Sequence, residues 1–376
     1  MGFFGEFDRI FKIGYSEKQI QALYKIRRGL QMNDNGRQIK PKIAWITVNR
    51  NCNMRCQWCY AKETEYRGEM SLELAKKLAN LIKDCGIKKI ILIGGEPTLW
   101  SHLLSFNAFC RNLGLETQMA TNALRFSNDS FWEKYKRDPN DSIGISLKGC
   151  SELSYRETAG IKNFNSMLSG LKRGVEFFRC GVGTIYSSFN PKELVDTAMF
   201  SKEIGASYLN IGFCTPTITK KGSDGSFMIP PAQIVTNIMS VYEEVNSVME
   251  GKISFSMKLP LCLWPEEFLD MLSSKKQIST LCQLRQKSGL IFGLSGEVIL
   301  CNTLLDYPVG KFGEDFSTKE ELLNFFNTPL ITNYYNKLNN YPSKKCISCR
   351  KYSPCGGGCP MLWSAYKADE IIKGFD

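Results

Sequence analysis

An α/β fold is predicted for this chain: a parallel sheet built from six strand–helix units, then a smaller cysteine-rich unit that contains a β-hairpin. Three observations predict it. Between about 42 and 235, short apolar runs alternate with amphipathic stretches, the pattern of strands that cross over through helices into a parallel sheet. From about 255 that rhythm stops, and seven cysteines follow between Cys262 and Cys359. At 376 residues the chain has room for two domains, or for one large domain with an appendage. The expected division is a helical segment over 1–40, the strand–helix unit over 41–235, a linking helix over 236–254 and the cysteine-rich unit over 255–376.

The elements follow in order. Ser16 opens a helical run with Ile20, Leu23, Ile26 and Leu30 on one face and Lys18, Lys25 and Arg28 on the other. The apolar run Ile43 to Val48 is a buried strand that leads into a cysteine-bearing loop. Ser71 caps a helix through about Lys83, and Gly86 stops it. A strand over 88–93 ends at Gly94-Gly95-Glu96-Pro97, and a helix over 101–113 closes at Gly114. Strands over 116–120 and 142–147 end at Thr121-Asn122-Ala123 and Ser146-Leu147-Lys148-Gly149. A helix over 162–176 precedes a strand over 181–187, which Tyr186 and Asn190 flank. A helix over 191–204 precedes the sixth strand, 207–212, which runs out at Phe213-Cys214. Lys220 to Ser226 is a polar, glycine-rich loop, and a helix near 232–250 starts after Pro230-Pro231. The segment 289–301 alternates as a hairpin turned at Ser295-Gly296.

Composition excludes several classes. Hydrophobic residues make up 43%, enough for a packed core and too many for a disordered chain. No apolar run has the length of a membrane span, and no basic-then-apolar signal opens the chain. Met1 to Glu6 begins like a myristoylation site but has Glu6 where serine or threonine is wanted. Fifteen cysteines in that setting read as metal ligands in a reducing cytoplasm, not as disulfides. The single histidine, His102, reads as a surface or capping residue and argues against His-rich zinc chemistry and a Ser–His–Asp triad. The net charge of +11 is scattered, not blocked, so nucleic-acid binding is not expected. Coordinating thiolates would offset part of it, leaving a moderately basic surface suited to a carboxylate or an acidic peptide.

The chemistry is concentrated at Cys52, Cys56 and Cys59, spaced by three and then two residues in the loop after the first strand. Close-spaced thiolates select zinc, copper or iron–sulfur. Three ligands where a cubane cluster wants four leave one iron open to chelation by a small molecule with an amine and a carboxylate. A zinc knot is the alternative. In the Gly94-Gly95-Glu96-Pro97 turn, the glycines permit close backbone approach to a ligand, and Glu96 presents a carboxylate at a strand end.

Together, in this order and each after a strand, the two motifs resemble the signature of the radical S-adenosylmethionine (SAM) enzymes. The resemblance implies a partial (β/α)6 TIM-type barrel with its chemistry at the C-terminal strand ends. It implies a 4Fe-4S cluster with an open iron, and SAM, from which a 5′-deoxyadenosyl radical is made to take hydrogen from a substrate. Gly94, Gly95, Glu96 and Pro97 would grip the methionine amino group, Trp58 would offer backbone to the adenine, and Ser146 would bond the ribose. Asn122 would face SAM, in Thr-Asn-Ala where the family usually has Thr-Asn-Gly. Peptide-modifying members often read Ser-Leu-Asp-Gly where this chain has Lys148, which reverses the local charge. Lys148 would contact a substrate or SAM carboxylate, or be a solvated surface residue. Cys214 would return hydrogen to a substrate radical, or be an inert buried thiol. Cys85, Cys110, Cys150 and Cys180 read as structural.

The C-terminal cysteines are similar to the SPASM domain, over roughly 262–360. By that resemblance Cys282, Cys301 and Cys359 hold a first auxiliary cluster, with Cys262 as candidate fourth ligand, and Cys346, Cys349 and Cys355 hold a second. The family usually has one more cysteine after the last pair, and none follows Cys359. One or two auxiliary 4Fe-4S clusters are therefore expected. The second would have an open iron or a fourth ligand from Asp369, Glu370 or Asp376, with zinc at Cys346–Cys359 as the alternative. The resemblance implies a cytoplasmic enzyme acting on a peptide or protein, making a thioether, a carbon–carbon crosslink or an oxidation. A reducing donor such as flavodoxin or ferredoxin would serve it, with no membrane partner. A small-metabolite dehydrogenase or rearrangement enzyme is the alternative. A non-catalytic iron–sulfur electron carrier is the alternative from another class, and it would need no Gly94–Pro97 grip.

Overall fold

The computed structural model describes residues 39–62, 64 and 67–375, so the helix expected from Ser16 onward and Asp376 lie outside it. The strand–helix alternation is present throughout. In order run β1 (Ile43–Asn49), α1 (Leu72–Asp84), β2 (Lys89–Gly94), α2 (Leu103–Leu113), β3 (Glu116–Thr121), α3 (Asp129–Tyr135) and β4 (Ser142–Ser146). Then come α4 (Glu152–Ala159), α5 (Phe164–Phe178), β5 (Val182–Tyr186), α6 (Leu194–Glu203) and β6 (Leu209–Phe213). Local chemistry explains the boundaries. The Ser71 side chain accepts from Leu74 N and starts α1, and Gly114, at φ 75°, ends α2 in the left-handed conformation that glycine takes without penalty. α1 buries Ala75, Leu78, Ala79, Leu81 and Ile82 on one face, the stripe of an amphipathic helix laid on a sheet.

The remainder extends the same sheet on both edges. After the short antiparallel pair β7 (Thr217–Thr219) and β8 (Gly222–Asp224) come α7 (Pro231–Val248), β9 (Ile253–Ser256), α8 (Glu266–Ser274) and β10 (Ile278–Ser279). β9 lies parallel to β6, and β10 parallel to β9. The hairpin expected over 289–301 forms from β11 (Gly289–Phe292) and β12 (Glu297–Val298), with β13 (Gly310–Lys311) beyond it. β11 lies parallel on β1, Ile43 opposite Gly289 and Ile46 opposite Phe292. A free strand edge is a row of unpaired donors and acceptors, and β11 satisfies that of β1. The result is one eleven-stranded sheet, β10-β9-β6-β5-β4-β3-β2-β1-β11-β12-β13, parallel from β10 to β11.

Two features differ from expectation in detail. α3 and α4 occupy stretches where no element is anticipated; both are short, and α4 starts from a Ser151–Ser154 capping box, a weaker signal than the serine–glutamate form. The glycine-rich stretch 220–226 is mostly the turn and second strand of the β7–β8 pair. That pair is tied down by Ser223 Oγ to Ser364 Oγ at 2.6 Å and by Tyr307 OH donating to Thr219 O at 3.0 Å. Among the described residues, no helix is long and apolar enough to cross a membrane.

Candidate active site and cysteine groups

Cys52, Cys56 and Cys59 occupy the loop that leaves the C-terminal end of β1. The register of β1 against β2 shifts between Thr47 and Asn49, and from there the loop is clamped on two sides. On one side Gly95 N donates to Asn49 O (2.9 Å), Glu96 N donates to Asn51 O (2.8 Å) and Asn49 Nδ2 donates to Glu96 O (3.0 Å). A Cβ on Gly94 or Gly95 would overlap the backbone oxygens of Asn49 and Asn51. The surface that needs these glycines is therefore the cysteine loop itself. On the other side Arg55 N donates to Ala159 O (2.7 Å) and Gln57 N to Thr158 O (3.3 Å), so the last carbonyls of α4 brace the loop. The two motifs read separately in the sequence are one construction.

The three thiols act on one another. Burial pushes the Cys52 thiol up to about 11, and Glu96, Cys56 and Cys59 push the same way, while Met54 N donates to Cys52 Sγ at 3.4 Å. Burial also raises Cys56, with Lys148 and Cys59 acting on it in opposite directions. Thiolates crowded in this way need a cationic core, and a coordinating metal deprotonates them outright. The donor set and its backbone N–H group fit an iron–sulfur cluster.

Glu96 is almost wholly buried, and its carboxylate is already held. Oε1 accepts from Thr98 N (3.1 Å), Thr98 Oγ1 (2.8 Å) and Thr121 Oγ1 (2.7 Å); Oε2 accepts from Asn122 N (2.8 Å). Burial raises its carboxyl above the usual range, and these donors oppose that shift. With one donor on Oε2, acceptor capacity remains there for one more. Asn122 also links back to the loop through Nδ2 to Asn53 Oδ1 at 2.8 Å. Arg125, unforeseen in the sequence, donates to Thr98 O, packs over Phe131 at 4.2 Å and feels the Glu96 charge. Pro97 starts the turn that Glu96 caps.

Trp58 and Lys148 meet at the mouth: Lys148 Nζ sits 5.9 Å from the Trp58 ring centroid. Trp58 continues to Phe189 (5.7 Å) and Phe189 to Phe227 (5.4 Å), an aromatic wall. Ser146 is half-buried at the end of β4. A cavity of 280 Å³ opens between the cysteine loop, at Gln57, Cys59 and Lys62, and the β7–β8 pair, at Lys221 and Asp224, with Phe227 at its side. Tyr60, also unforeseen, is paired with Arg50; burial raises its phenol, and the charges of Cys59 and Cys301 both bear on it. It thus connects the first trio to the C-terminal cysteines.

Those cysteines group differently from the expectation. Cys262, Cys346, Cys349 and Cys355 line one small cavity with Pro260, Tyr352 and Phe375. Backbone N–H groups point at their sulfurs: Leu261 N to Cys355 (3.2 Å), Lys373 N to Cys262 (3.3 Å) and Phe375 N to Cys349 (3.4 Å). Cys262 therefore stands with the second group, not with Cys282, Cys301 and Cys359. The reason is tertiary: Pro260 and Gly358 pack against each other where Cys359 N donates to Lys258 O (2.7 Å), which lays the 258–262 segment beside the Cys355 loop. The second group needs no carboxylate to make four; Glu370 is instead paired with Lys367 at 2.9 Å. Cys282, Cys301 and Cys359 are left as a trio, coupled through their charges, with Lys258 beside Cys301 and Cys359. Among the described residues no three His, Cys, Asp or Glu side chains stand close enough together to hold a single metal ion.

Cys214 lies buried past the end of β6, its thiol raised by burial to about 11, while the Lys258 charge lowers it and the Asp224 charge raises it. It sits toward the C-terminal trio, since Lys258 bears on both. Of the thiols read as structural, Cys110 is fully buried in α2 and Cys85 caps α1. His102 precedes α2, edge-on to Trp100, and its side chain makes no capping bond.

Comparison with known proteins agrees with this geometry. Residues 46–201 match the model of the radical SAM superfamily. Among curated relatives, the chain is 31% identical over 134 residues to "Fe-coproporphyrin III synthase" of Methanosarcina barkeri, covering 35% of this chain and 33% of that protein. It is 22% identical over 165 residues to "Probable GTP 3′,8-cyclase" of Thermococcus kodakarensis, covering 43% of this chain and 53% of that one. The chain thus spans about a third to a half of the length of these relatives. Among solved structures, it is similar to Streptococcus suis SuiB bound to precursor peptide SuiA, with TM-score 0.66 and 17% identity over 94% of this chain and 80% of that one. It is also similar to anSMEcpe with bound AdoMet and Kp18Cys peptide, with TM-score 0.64 and 16% identity over 85% of this chain and 89% of that one. From the clamped cysteine trio, the buried glutamate and the family match, residues 46–201 form a radical SAM domain, and a cysteine-rich region follows it in a chain whose fold resembles that of both solved structures.

Proposed function

We propose that this chain is a radical SAM enzyme that abstracts hydrogen from a peptide or protein substrate and so modifies it. The carrying observation is that the cysteine loop and the Gly94–Pro97 turn are built as one unit: Gly95 N and Glu96 N donate to Asn49 O and Asn51 O, and the Asn49 side chain donates back to Glu96 O. An electron carrier needs the thiols alone and has no use for a buried glutamate with acceptor capacity to spare. Bound 4Fe-4S and SAM would supply a 5′-deoxyadenosyl radical from an electron delivered by a donor such as flavodoxin or ferredoxin. The protein's own part is positioning. Cys52, Cys56 and Cys59 hold the cluster, and Glu96 receives an ammonium on Oε2. Asn122 and Ser146 line the same face, and Trp58, Phe189 and Phe227 wall it off from water. Lys148, beside the trio, holds a carboxylate of SAM or substrate.

The substrate reading is supported by the cavity between the cysteine loop and β7–β8, which has room for a side chain, and by likeness of fold to the peptide-bound structures. Cys282, Cys301 and Cys359 would hold one auxiliary cluster, and Cys262, Cys346, Cys349 and Cys355 another, taking the second electron of an oxidation. The thiol-rich sites suit a reducing cytoplasm. A small-molecule substrate is the second reading, favoured by the names of the curated relatives, whose similarity covers less than half of this chain.

Anaerobically reconstituted protein, reduced and given SAM, is expected to release 5′-deoxyadenosine, and Cys56→Ala is expected to release none. Release that rises with candidate peptides and produces a mass change in them supports the first substrate reading. Release that responds to a small metabolite and to no peptide overturns it.

A further inference from the structure

Helix α4 does more than brace the cysteine loop. Tyr155, in its first half, is fully buried, and its hydroxyl has no hydrogen-bond partner. Buried hydroxyls are almost always paired, so an orphan asks for the group that completes it. The charges that bear on this phenol are those of Cys56 and then Cys52. The side chain is held in place. The Ser151–Ser154 capping box fixes the start of α4, Phe164 packs edge-on to the ring at 6.0 Å, and the absent Cβ of Gly149 lets the chain after β4 close onto the Tyr155 backbone. The far end of the same helix holds the loop N–H groups of Arg55 and Gln57.

We propose that Tyr155 is a positioning residue of the first cysteine site, its phenol donating a hydrogen bond to a sulfur of the cluster held by Cys52, Cys56 and Cys59. This rests on the reading that the trio holds such a cluster. A donor on a cluster sulfur stabilises the more electron-rich, reduced state, so it raises the reduction potential. Tyr155 would therefore set how readily the first cluster accepts its electron, without touching SAM.

The test is Tyr155→Phe, which keeps the ring and removes only the hydroxyl. In the anaerobic holoenzyme, the first cluster is recognised as the one whose electron paramagnetic resonance signal changes when SAM is added. Its midpoint potential is expected to be more negative in the variant than in the wild type. The apo variant is expected to melt above apo wild type, because an orphan hydroxyl has gone, and to gain less on cluster loading, because a bond to the cluster has gone. An unchanged midpoint together with an equal gain on loading overturns the tyrosine assignment alone. A wild type with no SAM-responsive cluster overturns the parent reading, and this one with it.

Discussion

The two cysteine-bearing regions are built on opposite principles. The first trio is supplied by one loop, and the backbone of its neighbours Gly95, Glu96 and Ala159 holds that loop in shape without adding a thiol. The C-terminal groups are assembled from chain segments far apart in sequence: Cys262 joins Cys346, Cys349 and Cys355, while Cys359, four residues beyond Cys355, falls with Cys282 and Cys301. In the first case the spacing of cysteines is the geometry of the site. In the second, spacing says little, because a glycine run at positive φ, Gly356 to Gly358, turns the chain sharply enough to aim adjacent cysteines at different sites.

The largest effect that could break this comparison is an iron count. In a Cys346→Ala background, adding Cys262→Ala is expected to remove no further iron. In a Cys282→Ala background it is expected to remove about four more per chain, one whole cluster. The reverse pattern would return Cys262 to the Cys282 group.

That contrast also explains what could be read from the sequence. The parallel sheet, its six units, the hairpin and the cap at Ser71 were all legible, because apolar periodicity and capping chemistry are local. The placement of β11 against β1 was not, since only the free edge of β1 in three dimensions attracts it. Gly94 and Gly95 were legible as a close approach, but not what they approach, because Asn49 and Asn51 are some forty residues away. Tyr60, Arg125 and Tyr155 carry no motif; burial and their neighbours alone mark them. Asp369 and Glu370 looked available as ligands only while Cys262 was placed elsewhere.

Next in size is Gly95→Ala. Its Cβ would meet the rigid backbone of Asn51, not a side chain that can swing away. The expected cost is about 1–3 kcal/mol of stability, with iron lost from the first trio and retained in both C-terminal groups. Uniform loss of iron from all three would mean that the clamp is general to the fold and not particular to the cysteine loop.

A smaller effect sharpens the same region in the opposite direction. Ala123 follows Asn122 at φ 60°, in the left-handed region, fully buried. Alanine pays there for a conformation that glycine adopts freely, while glycine loses more entropy on folding. Ala123→Gly is expected to leave stability unchanged or raise it by up to about 1 kcal/mol, read as an equal or higher midpoint in urea. A clear loss of stability would show that the Ala123 methyl packs for a reason that its backbone does not reveal.

The smallest expected effect lies at the second C-terminal group. Glu266, at the start of α8, takes both arms of Arg350 (2.8 and 2.6 Å) and Lys351 Nζ at 2.7 Å. It thereby ties the helix that follows Cys262 to the turn that follows Cys349. Those hydrogen bonds pull its carboxyl down from 4.5 to about 2. A carboxyl lowered in the folded state adds stability that is complete above its unfolded value and fades as pH falls through the folded one. The gap in melting temperature between apo wild type and Glu266→Gln is therefore expected to be constant above pH 4.5, to shrink below it and to close near 2. Because the pair is exposed, added salt is expected to narrow the gap as well. A gap that ignores both acid and salt would mean that Glu266 acts through packing, and that Cys262 and Cys349 are brought together without help from charge.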